Sequence, residues 1–300
     1  MIYIIIPVFN RKALTRGCLK SIEGQTFKDF KTIVVDDGST DGTFQMIQDE
    51  FPNVEVLKGN GDLWWTGSTN LGVNYLTNAG RVKSDDFVLT LNNDLEIDDD
   101  FLGKISYYAG VYPKAILGSV SVDINRSDWM DFCGVRWNQI TSKYTLKAKE
   151  YGNSYAQLLN EKRFEDSDLL LGRGTLIPAK VFDEIGFYDF ENFPHYAADE
   201  DFTLRAKRNG WQLLIPTDVL VRSYISETGT DVETVSLTGK YFKDLFFSRR
   251  SPVNIVTRYR WAMKNTNLKF IYFVIEYSRI VTSVLWKIVK RDTSPTYEKK

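Results

Sequence analysis

Asn92, Asn93 and Asp94 could hold a metal ion, because they place two amides and a carboxylate directly after an apolar run at 87–91. Such a run predicts a buried strand, which has no structural need to end in three polar side chains. Oxygen ligands of this kind suit Mg²⁺ or Mn²⁺, and the cation could in turn hold a phosphate. The alternative is a polar turn leading into the acidic segment 96–100, and these residues alone leave both interpretations open.

A second pair of carboxylates, Asp36 and Asp37, follows the apolar run 31–35. In an open parallel sheet, ligands bind outside the carboxyl ends of the strands. If the runs 31–35 and 87–91 are parallel strands of one sheet, their polar ends lie along the same edge. We therefore expect Asp36, Asp37 and Asp94 to share a site, provided that the surrounding elements build such a sheet.

The first 120 residues show the required alternation of strands and helices. Continuous apolar runs predict strands buried on both faces, and apolar spacings of three and four predict the helices between them. The predicted strands are 2–8, 31–35, 54–57 and 87–91, the predicted helices are 11–23, 43–51 and 71–78, and a glycine- and tryptophan-rich loop occupies 59–70. This order predicts an α/β fold with a mainly parallel central sheet flanked by helices.

The second part of the chain is less regular, and its predicted elements are shorter. A polar segment without periodicity is interpreted there as a mobile loop. The predicted strands are 116–122, 169–178, 211–215 and 219–224, with one or two antiparallel strands in 129–146; the predicted helices are 179–185 and 199–209, and the polar loop is 148–166.

The net charge of −1 conceals an uneven distribution of basic and acidic residues. Residues 240–300 contain 14 Lys and Arg against 4 Asp and Glu, which leaves 24 basic and 35 acidic residues for 1–239. The basic segment also carries aromatic residues within predicted helices at 255–264 and 269–290. Charged residues interrupt these helices, which argues against a membrane span and favours an interfacial helix on an anionic membrane. A helical cap packed on the body is the alternative.

Cysteine content and the first residues bear on the compartment. Cys18 and Cys133 show no metal-ligand spacing, and two cysteines in 300 residues favour a reducing environment. Residues 1–7 lack the basic leader and the long apolar region of a signal peptide. We expect a cytoplasmic protein that is peripheral at the inner face of the cell membrane.

Four motifs stand in a characteristic order: IIIPVFN at 4–10, VVDDGSTDGT at 34–43, LNND at 91–94 and the acidic helix start DED at 199–201. Together they resemble glycosyltransferase family 2 over residues 1–225. The segment DLWWTG further resembles a rhamnosyltransferase-like subgroup of surface-polysaccharide synthesis. The resemblance implies an inverting transfer from a UDP- or dTDP-sugar to a saccharide acceptor that is linked to a lipid.

The resemblance also implies a domain organisation. It predicts a GT-A glycosyltransferase domain at 1–239, composed of a nucleotide-sugar half at 1–120 and an acceptor half at 121–239. Residues 240–300 then form a basic, aromatic helical extension. A homodimer is one open arrangement, and no nucleic-acid partner is expected.

Residues matching the first two motifs would bind the nucleotide; they are Pro7, Phe9, Asn10, Asp36 and Asp37. Within this set, the resemblance implies that Asp36 accepts a hydrogen bond from the imide N–H of uracil or thymine and that Asp37 contacts the ribose. Structural alternatives are a turn at 37–39 and a helix cap at Asp41, the role that we expect for Asp41.

Asp94, with Asn92, would bind the Mg²⁺ or Mn²⁺ that holds the diphosphate. Asn92 replaces a carboxylate that the family usually has, and the segment 219–224 lacks the histidine that many members add. We therefore expect weak metal binding unless the nucleotide is bound. His195, the sole histidine, is interpreted as a packed loop residue.

Asp199 matches the general base of the family, at a helix start where the dipole favours an ionised carboxylate. The candidates for contacts with the donor or acceptor sugar are Asp62, Trp64, Trp65, Arg173 and Asp201. Their alternatives are ordinary: a salt bridge for Arg173, core packing for the tryptophans, and helix-start acids at 199 and 201.

The sequence lacks the motifs of several other enzyme classes. No Gly-X-Gly-X-X-Gly follows the first strand, no Gly-Lys-Ser/Thr phosphate loop occurs, and the glycine-rich basic loop of sugar nucleotidyltransferases is absent. The remaining alternative is a catalytically degenerate module that binds a nucleotide-sugar, since Asn92 weakens the metal site. Retention of both Asp94 and Asp199 favours the enzyme.

Overall fold

The structure is a computed structural model that describes residues 1–78, 80–225 and 239–293, with side chains as far as Trp286. Alternating strands and helices build its first part, because long apolar runs and helical periodicities follow one another there. These elements are β1 Ile2–Val8, α1 Lys12–Glu23, β2 Phe30–Asp36, α2 Thr43–Glu50, β3 Glu55–Lys58, α3 Trp64–Asn78, β4 Phe87–Thr90, β5 Leu95–Ile97 and α4 Phe101–Val111.

Shorter elements follow, and helices end the described chain. They are β6 Ala115–Leu117, β7 Val120–Asp123, β8 Arg126–Phe132, β9 Val135–Trp137, β10 Tyr144–Leu146, a 3₁₀ helix Lys147–Tyr151, α5 Tyr155–Glu161, β11 Phe164–Asp166, β12 Thr175–Pro178, α6 Lys180–Ile185, α7 Ala198–Arg208, β13 Gln212–Pro216, β14 Leu220–Ser223, α8 Gly239–Phe247, α9 Ile255–Asn265 and α10 Phe270–Thr293.

A mixed eight-stranded sheet forms the centre of the protein, in the order β11-β13-β6-β12-β4-β1-β2-β3. β1 runs parallel to both β2 and β4, and β2 runs parallel to β3. β12 enters antiparallel between β4 and β6. The register places Val8 opposite Asp36, so β1 and β2 end at the same edge. The predicted sharing of one edge by the polar strand ends is therefore met.

Two smaller sheets complete the second part. β5, β14, β7 and β8 form a four-stranded sheet, and β9 pairs with β10. The predicted strand at 116–122 is therefore wrong in one respect, because β6 belongs to the central sheet and β7 to the four-stranded one. The chain changes sheet at Gly118, where a Cβ would lie 2.7 Å from a methyl carbon of Leu170.

Apolar side chains fill both faces of the central sheet, because alternate residues of β1 point in opposite directions. Tyr3 and Ile5 pack with α3, and Ile2, Ile4 and Ile6 pack with α1. Helices therefore cover both faces, which is the flanked α/β architecture that the sequence predicts.

The helical extension shares this core. Trp261 and Tyr272 are almost fully buried in the same cluster as the sheet residues, and the Trp137 Nε1–H donates to the Tyr272 hydroxyl at 2.9 Å. The packed-cap alternative is thus correct for α9 and for the first turn of α10. In the described part of the chain, no helix combines the length and apolarity that crossing a bilayer requires. The boundary at residue 239 stays a prediction.

Three further predicted elements differ from the structure. The segment 148–166 is not a loop, since it holds most of the 3₁₀ helix, α5 and β11, anchored by the buried Lys147, whose Nζ donates to Glu165 at 2.5 Å. The strand at 169–178 is limited to β12, because Gly174 takes a positive φ of 76°. Helix α3 begins seven residues before the predicted start, at Trp64.

Candidate functional site

Asp94 lies just beyond β4, in the polar tip that the sequence singles out. It is only 4% exposed, and the Arg11 Nη1 lies 3.0 Å from its Oδ2. Its Oδ1 is buried, and no described residue forms a hydrogen bond to it. Burial raises the pKa of Asp94, against the opposing charge of Arg11. One carboxylate oxygen is therefore left for a further partner.

Backbone conformation at the end of β1 brings Arg11 toward Asp94. Asn10 and Arg11 both adopt positive φ, at 58° and 63°, which costs energy for a residue with a side chain. The turn is held because the Asn10 N–H donates to Ser39 Oγ at 2.7 Å, and Asn10 Oδ1 accepts from the Thr40 N–H at 2.9 Å. Asn10, predicted to bind nucleotide, thus joins the ends of β1 and β2.

Asp36 and Asp37 lie at that same edge, and both are buried. Asp36 Oδ1 accepts from the Ser39 N–H at 2.9 Å. Asp37 accepts from three backbone N–H groups of the following loop, those of Gly61, Leu63 and Trp64, at 2.8 to 3.0 Å.

A carboxylate at the start of α3 is favoured by the helix dipole. In this structure Asp37 therefore holds the loop and caps α3, and a ribose contact at Asp37 stays a prediction. Phe9 differs from Asp37 in being open to solvent, because it is 49% exposed just beyond the end of β1.

Trp65 joins the strand tip to the second part of the chain. Its Nε1–H donates to Asn92 Oδ1 at 3.0 Å, and its ring meets Tyr188 edge-on at 5.3 Å. A Cβ on Gly172 would lie 2.2 Å from Trp65 Cζ2, so only glycine allows this ring to pack there. The amide oxygen of Asn92 positions Trp65 in this structure, and a metal contact of Asn92 stays a prediction.

Trp64 takes the other direction, toward solvent. It has φ 56°, its Nε1–H donates to Asp62 Oδ1 at 2.8 Å, and its ring lies 5.5 Å from His195. A half-buried indole beside a polar carboxylate is a suitable platform for a sugar face. The predicted sugar residues Asp62 and Trp64 are thus adjacent.

Asp199 lies in the first turn of α7, beside Gly172. Its Oδ2 accepts from the Gly172 N–H at 2.8 Å, and its Oδ1 accepts from the Glu200 N–H at 2.9 Å. Burial, together with the charge of Glu200, raises the pKa of Asp199 to about 6. Gly172 also packs against Trp65, which in turn donates to Asn92. The candidate base is therefore connected to the strand tip through these two residues.

Arg173 and Asp201, both predicted to contact sugar, form ion pairs with other residues of the chain. Arg173 Nη2 lies 2.7 Å from Asp131 Oδ2, the salt-bridge alternative, although its charge also acts favourably on Asp94. Asp201 is 0% exposed, and its carboxylate accepts from Arg205, Lys264 and Asn265 at 2.9 to 3.0 Å.

Asp201 is therefore an internal anchor between α7 and α9, and we withdraw it from the sugar site. Residues i and i+2 of a helix point in different directions, which is why Asp199 and Asp201 separate.

Two more residues lie at the site: Arg11, which the sequence interpretation missed, and His195, which it interpreted as a packed loop residue. Arg11 directly follows the first motif, yet its ion pair with Asp94 depends on the turn at Asn10. His195 lies between Trp64 and Tyr196, with ring centroids 5.5 and 4.6 Å away. Burial, with Arg250 and Arg11 nearby, lowers the pKa of His195 to about 4, so its imidazole is neutral near pH 7.

The end of β4 offers few protein ligands for a divalent cation. Among the residues that the structure describes, no group of three or more His, Cys, Asp and Glu could hold a metal ion. At the end of β4, Asp94 Oδ1 offers a buried oxygen that has no hydrogen-bond partner among those residues. Mg²⁺ is commonly bound by one or two carboxylates together with substrate phosphates. The residues fit a cation that binds jointly with a nucleotide.

Comparison with known proteins identifies the family. The family model for Glycosyl transferase family 2 matches residues 3–157, just over half of the chain. The chain belongs to glycosyl transferase family 2. Its fold is GT-A, as the motifs imply. A mannosyltransferase from Pyrobaculum calidifontis, in complex with GDP-Man and Mn²⁺, aligns with a TM-score of 0.58 at 14% identity, covering 98% of this chain and 76% of that one.

Named relatives within family 2 extend over most of the chain. A GalNAc(5)-diNAcBac-PP-undecaprenol beta-1,3-glucosyltransferase of Campylobacter jejuni is 24% identical over 278 residues, which cover 89% of this chain and 88% of the relative. An N-acetylglucosaminyl-diphospho-decaprenol L-rhamnosyltransferase of Mycobacterium tuberculosis is 24% identical over 226 residues, which cover 71% of this chain and 73% of the relative. The resemblance to rhamnosyltransferases is thereby confirmed.

Proposed function

We propose that this family 2 glycosyltransferase moves a sugar, with inversion, from a UDP- or dTDP-sugar to a lipid-linked saccharide in surface-polysaccharide synthesis. The position of Asp199 carries the proposal. Its carboxylate is oriented by the Gly172 N–H, beside the Trp65 ring that contacts the metal-site strand tip. Relatives named for lipid-linked diphosphate acceptors support the acceptor class.

In the proposed reaction, Asp199 accepts the proton of the acceptor hydroxyl as that oxygen attacks the anomeric carbon of the donor. The bond from this carbon to the β-phosphate oxygen breaks, and its electron pair leaves with the nucleoside diphosphate. Attack from the face opposite the leaving group inverts the configuration. A base with a pKa of about 6 is largely deprotonated near pH 7 and still accepts a proton in the transition state.

The nucleotide lies, in this proposal, at the shared edge of β1, β2 and β4. Phe9 offers an exposed ring to the base, beside Pro7, and Asp36 offers a carboxylate to its imide N–H. Asp94 Oδ1 would contact a Mg²⁺ or Mn²⁺ bound to the diphosphate, and that cation would stabilise the charge of the leaving group.

Sugar contacts are assigned to residues next to the nucleotide edge, beginning with the loop that Asp37 holds. Trp64 and Asp62 form the outer wall, Trp65 the inner wall, and Arg173 a cation whose charge reaches Asp94. The half-buried indole of Trp64 distinguishes this wall from the fully buried core aromatics.

The test is Asp199→Asn, measured as hydrolysis of a panel of UDP- and dTDP-sugars with Mn²⁺. We expect a loss of about 10²-fold or more, because a general base typically contributes 10²–10⁴-fold. Protection of the variant by nucleotide against thermal unfolding should persist, since the base does not hold the nucleotide. Asp183→Asn, an exposed carboxylate of α6, is the matched control and should remain active.

An Asp199→Asn variant with full activity would overturn the assignment of the base. The competing function, a degenerate binding module, predicts a different result: wild-type protein that is protected by nucleotide yet hydrolyses no donor in the panel.

A further inference from the structure

Two arginines of the helical extension reach the nucleotide side of the molecule. Arg249 and Arg250 lie between α8 and α9, and their guanidinium carbons are 5.8 and 6.0 Å from the centre of the Trp64 ring. Arg249 Nη1 is also 3.4 Å from Asp62 Oδ1, a long contact to an exposed carboxylate. We refer to residues 248–251 as the arginine turn.

Hydrogen bonds hold the backbone of the arginine turn. The Ser251 N–H and the Asn254 Nδ2–H both donate to the Ser248 carbonyl at 3.1 Å, and Ser251 is buried. Asn254 also caps α9, because its Oδ1 accepts from the N–H groups of residues 256 and 257. The two exposed guanidiniums therefore project from a fixed support.

Helix α9 is itself attached to the loop before the catalytic helix. Lys264 Nζ lies 2.5 Å from Asp189 Oδ2, and Arg260 Nη1 donates to the Glu191 carbonyl at 2.9 Å. The arginine turn is thus positioned relative to His195, which lies in the same stretch of chain as Glu191. This arrangement limits the ordering cost when a ligand binds.

Guanidiniums and carboxylates both lie around Trp64 and His195. Arg249 and Arg250 lie beside the Trp64 ring, and the charges of Arg250 and Arg11 act on His195. The nearby carboxylates already have partners or lie in solvent: Asp37 accepts from backbone N–H groups, Asp94 is paired with Arg11, and Asp62 is exposed. His195 Nδ1 is buried and has no hydrogen-bond partner among the described residues. A neutral imidazole within a group of guanidiniums is suited to an anion with several oxygens, because planar guanidiniums bind phosphate through paired N–H donors.

We propose that the arginine turn binds the diphosphate of the nucleotide-sugar donor. Arg249 and Arg250 donate to phosphate oxygens and stabilise the charge that the leaving nucleoside diphosphate acquires. This inference rests on the proposed function and extends it, because it makes the helical extension part of the donor site. The strand tip offers a single available carboxylate oxygen, that of Asp94, for a metal ion. The inference explains this, because the two arginines would then neutralise part of the charge of the diphosphate.

The test compares Arg249→Gln/Arg250→Gln with a control, Lys243→Gln/Lys269→Gln, that removes two exposed positive charges from the same extension. Calorimetry measures binding of uridine, UMP and UDP, and of the corresponding thymidine series, to each full-length protein with Mg²⁺ present. We expect the arginine variant to lose about tenfold or more in affinity for the diphosphate, with unchanged affinity for the nucleoside. The control should match the wild type.

Three results would be decisive against the inference or its basis. Unchanged diphosphate affinity in the arginine variant would overturn the inference. An equal loss for nucleoside and diphosphate would also overturn it, because the turn would then support the base pocket. Wild-type protein that binds neither nucleotide series would instead remove the proposed function.

A charge-conserving variant guards against a folding defect. Arg249→Lys/Arg250→Lys keeps both charges and loses the planar donor pairs, so its diphosphate affinity should fall between that of the wild type and the glutamine variant. All variants should unfold at the wild-type temperature without ligand, because both side chains are exposed. If the lysine variant binds the diphosphate as weakly as the glutamine variant, the planar donor geometry of arginine matters more than its charge. Both this result and an intermediate affinity support a contact between the guanidiniums and the diphosphate.

Discussion

At the scale of single residues, Asp199 has the two properties that a general base requires. A backbone N–H from Gly172 fixes its orientation, and its raised pKa leaves it able to accept a proton near neutral pH. Burial is the main cause of that shift and Glu200 the second. The neighbour is buried too, so its negative charge acts at short range with little screening.

The activity should therefore depend on pH through Asp199. The base works only when deprotonated, so the rate of donor hydrolysis should fall as the pH drops below about 6 and level off above it. Glu200→Gln removes the neighbouring negative charge, which lowers the pKa of Asp199, so the acid limb should move to lower pH. The shift should be partial because burial remains.

A pH–rate profile of both proteins measures this effect. An acid limb at the same pH in both would show that Glu200 does not act on the base.

The family resemblance pointed to Asp199 as the candidate base, but it did not give the contacts of several polar neighbours. Asp36 and Asp37 are equivalent in sequence, yet Asp37 accepts from three N–H groups of a loop that lies 24 to 27 residues later. Asn92 similarly binds the Trp65 indole. Such partners are set by tertiary contacts, which no local motif contains.

At the scale of elements, helix α7 has two functional sides. Asp199 faces the strand tip through Gly172, whereas Asp201 is buried against Lys264 and Asn265 of α9. The sequence suggested site roles for both acidic residues at the start of α7. Only Asp199 remains a candidate for the site, because Asp201 anchors α7 to α9. The packing of α9 also carries the arginine turn, so one helix–helix contact positions both groups.

Removal of the anchor should weaken the fold. Lys264→Met deletes one partner of the buried Asp201 while Arg205 and Asn265 remain, so we expect a loss of about 1–3 kcal/mol in the free energy of unfolding. Urea denaturation measures it. Lys243→Met, an exposed lysine of α8, is the control and should change stability by less than about 0.5 kcal/mol. Equal stability of the two variants would contradict the role of Lys264.

Strands and helices could be predicted from the sequence where each one has its own pattern of apolar residues. The strands and helices up to residue 58 match because each has an apolar run or a helical spacing of its own. The start of α3 was missed because two glycines precede it and because Asp37, distant in sequence, caps it. The segment 148–166 was missed because its short elements are stabilised by contacts such as Lys147 with Glu165.

At the scale of the whole molecule, the extension has a buried side and an exposed side. Tyr272 lies in the core, whereas Ile271, Val274 and Leu285 of α10 are 46–59% exposed. Exposed apolar side chains on a segment with an excess of 10 positive charges favour contact with an anionic membrane. We propose this membrane contact in addition, because it would bring the chain to a lipid-linked acceptor.

Vesicle sedimentation tests the membrane contact. The protein should bind phosphatidylglycerol vesicles at low salt and bind phosphatidylcholine vesicles weakly, because each basic residue near the surface contributes about 1 kcal/mol. Ile271→Gln/Val274→Gln/Leu285→Gln should reduce binding about tenfold or more. Tyr107→Gln/Val111→Gln, an exposed apolar pair on α4, is the control. Deletion of the extension is unsuitable, because it removes Trp261 from the core.

If wild-type protein does not sediment with phosphatidylglycerol vesicles, the exposed face of α10 has another role, such as contact with a second copy of the chain.

The anchor at Asp201 also has a consequence for the order of events during protein synthesis. A carboxylate with no exposed surface is costly to bury until Lys264 and Asn265 are in place. A nascent chain that has emerged only as far as α7 contains the four motifs of the sequence analysis, yet Asp201 of α7 still lacks these partners. We expect the ribosome-bound chain to gain protease resistance around α7 only after about 60 further residues have emerged.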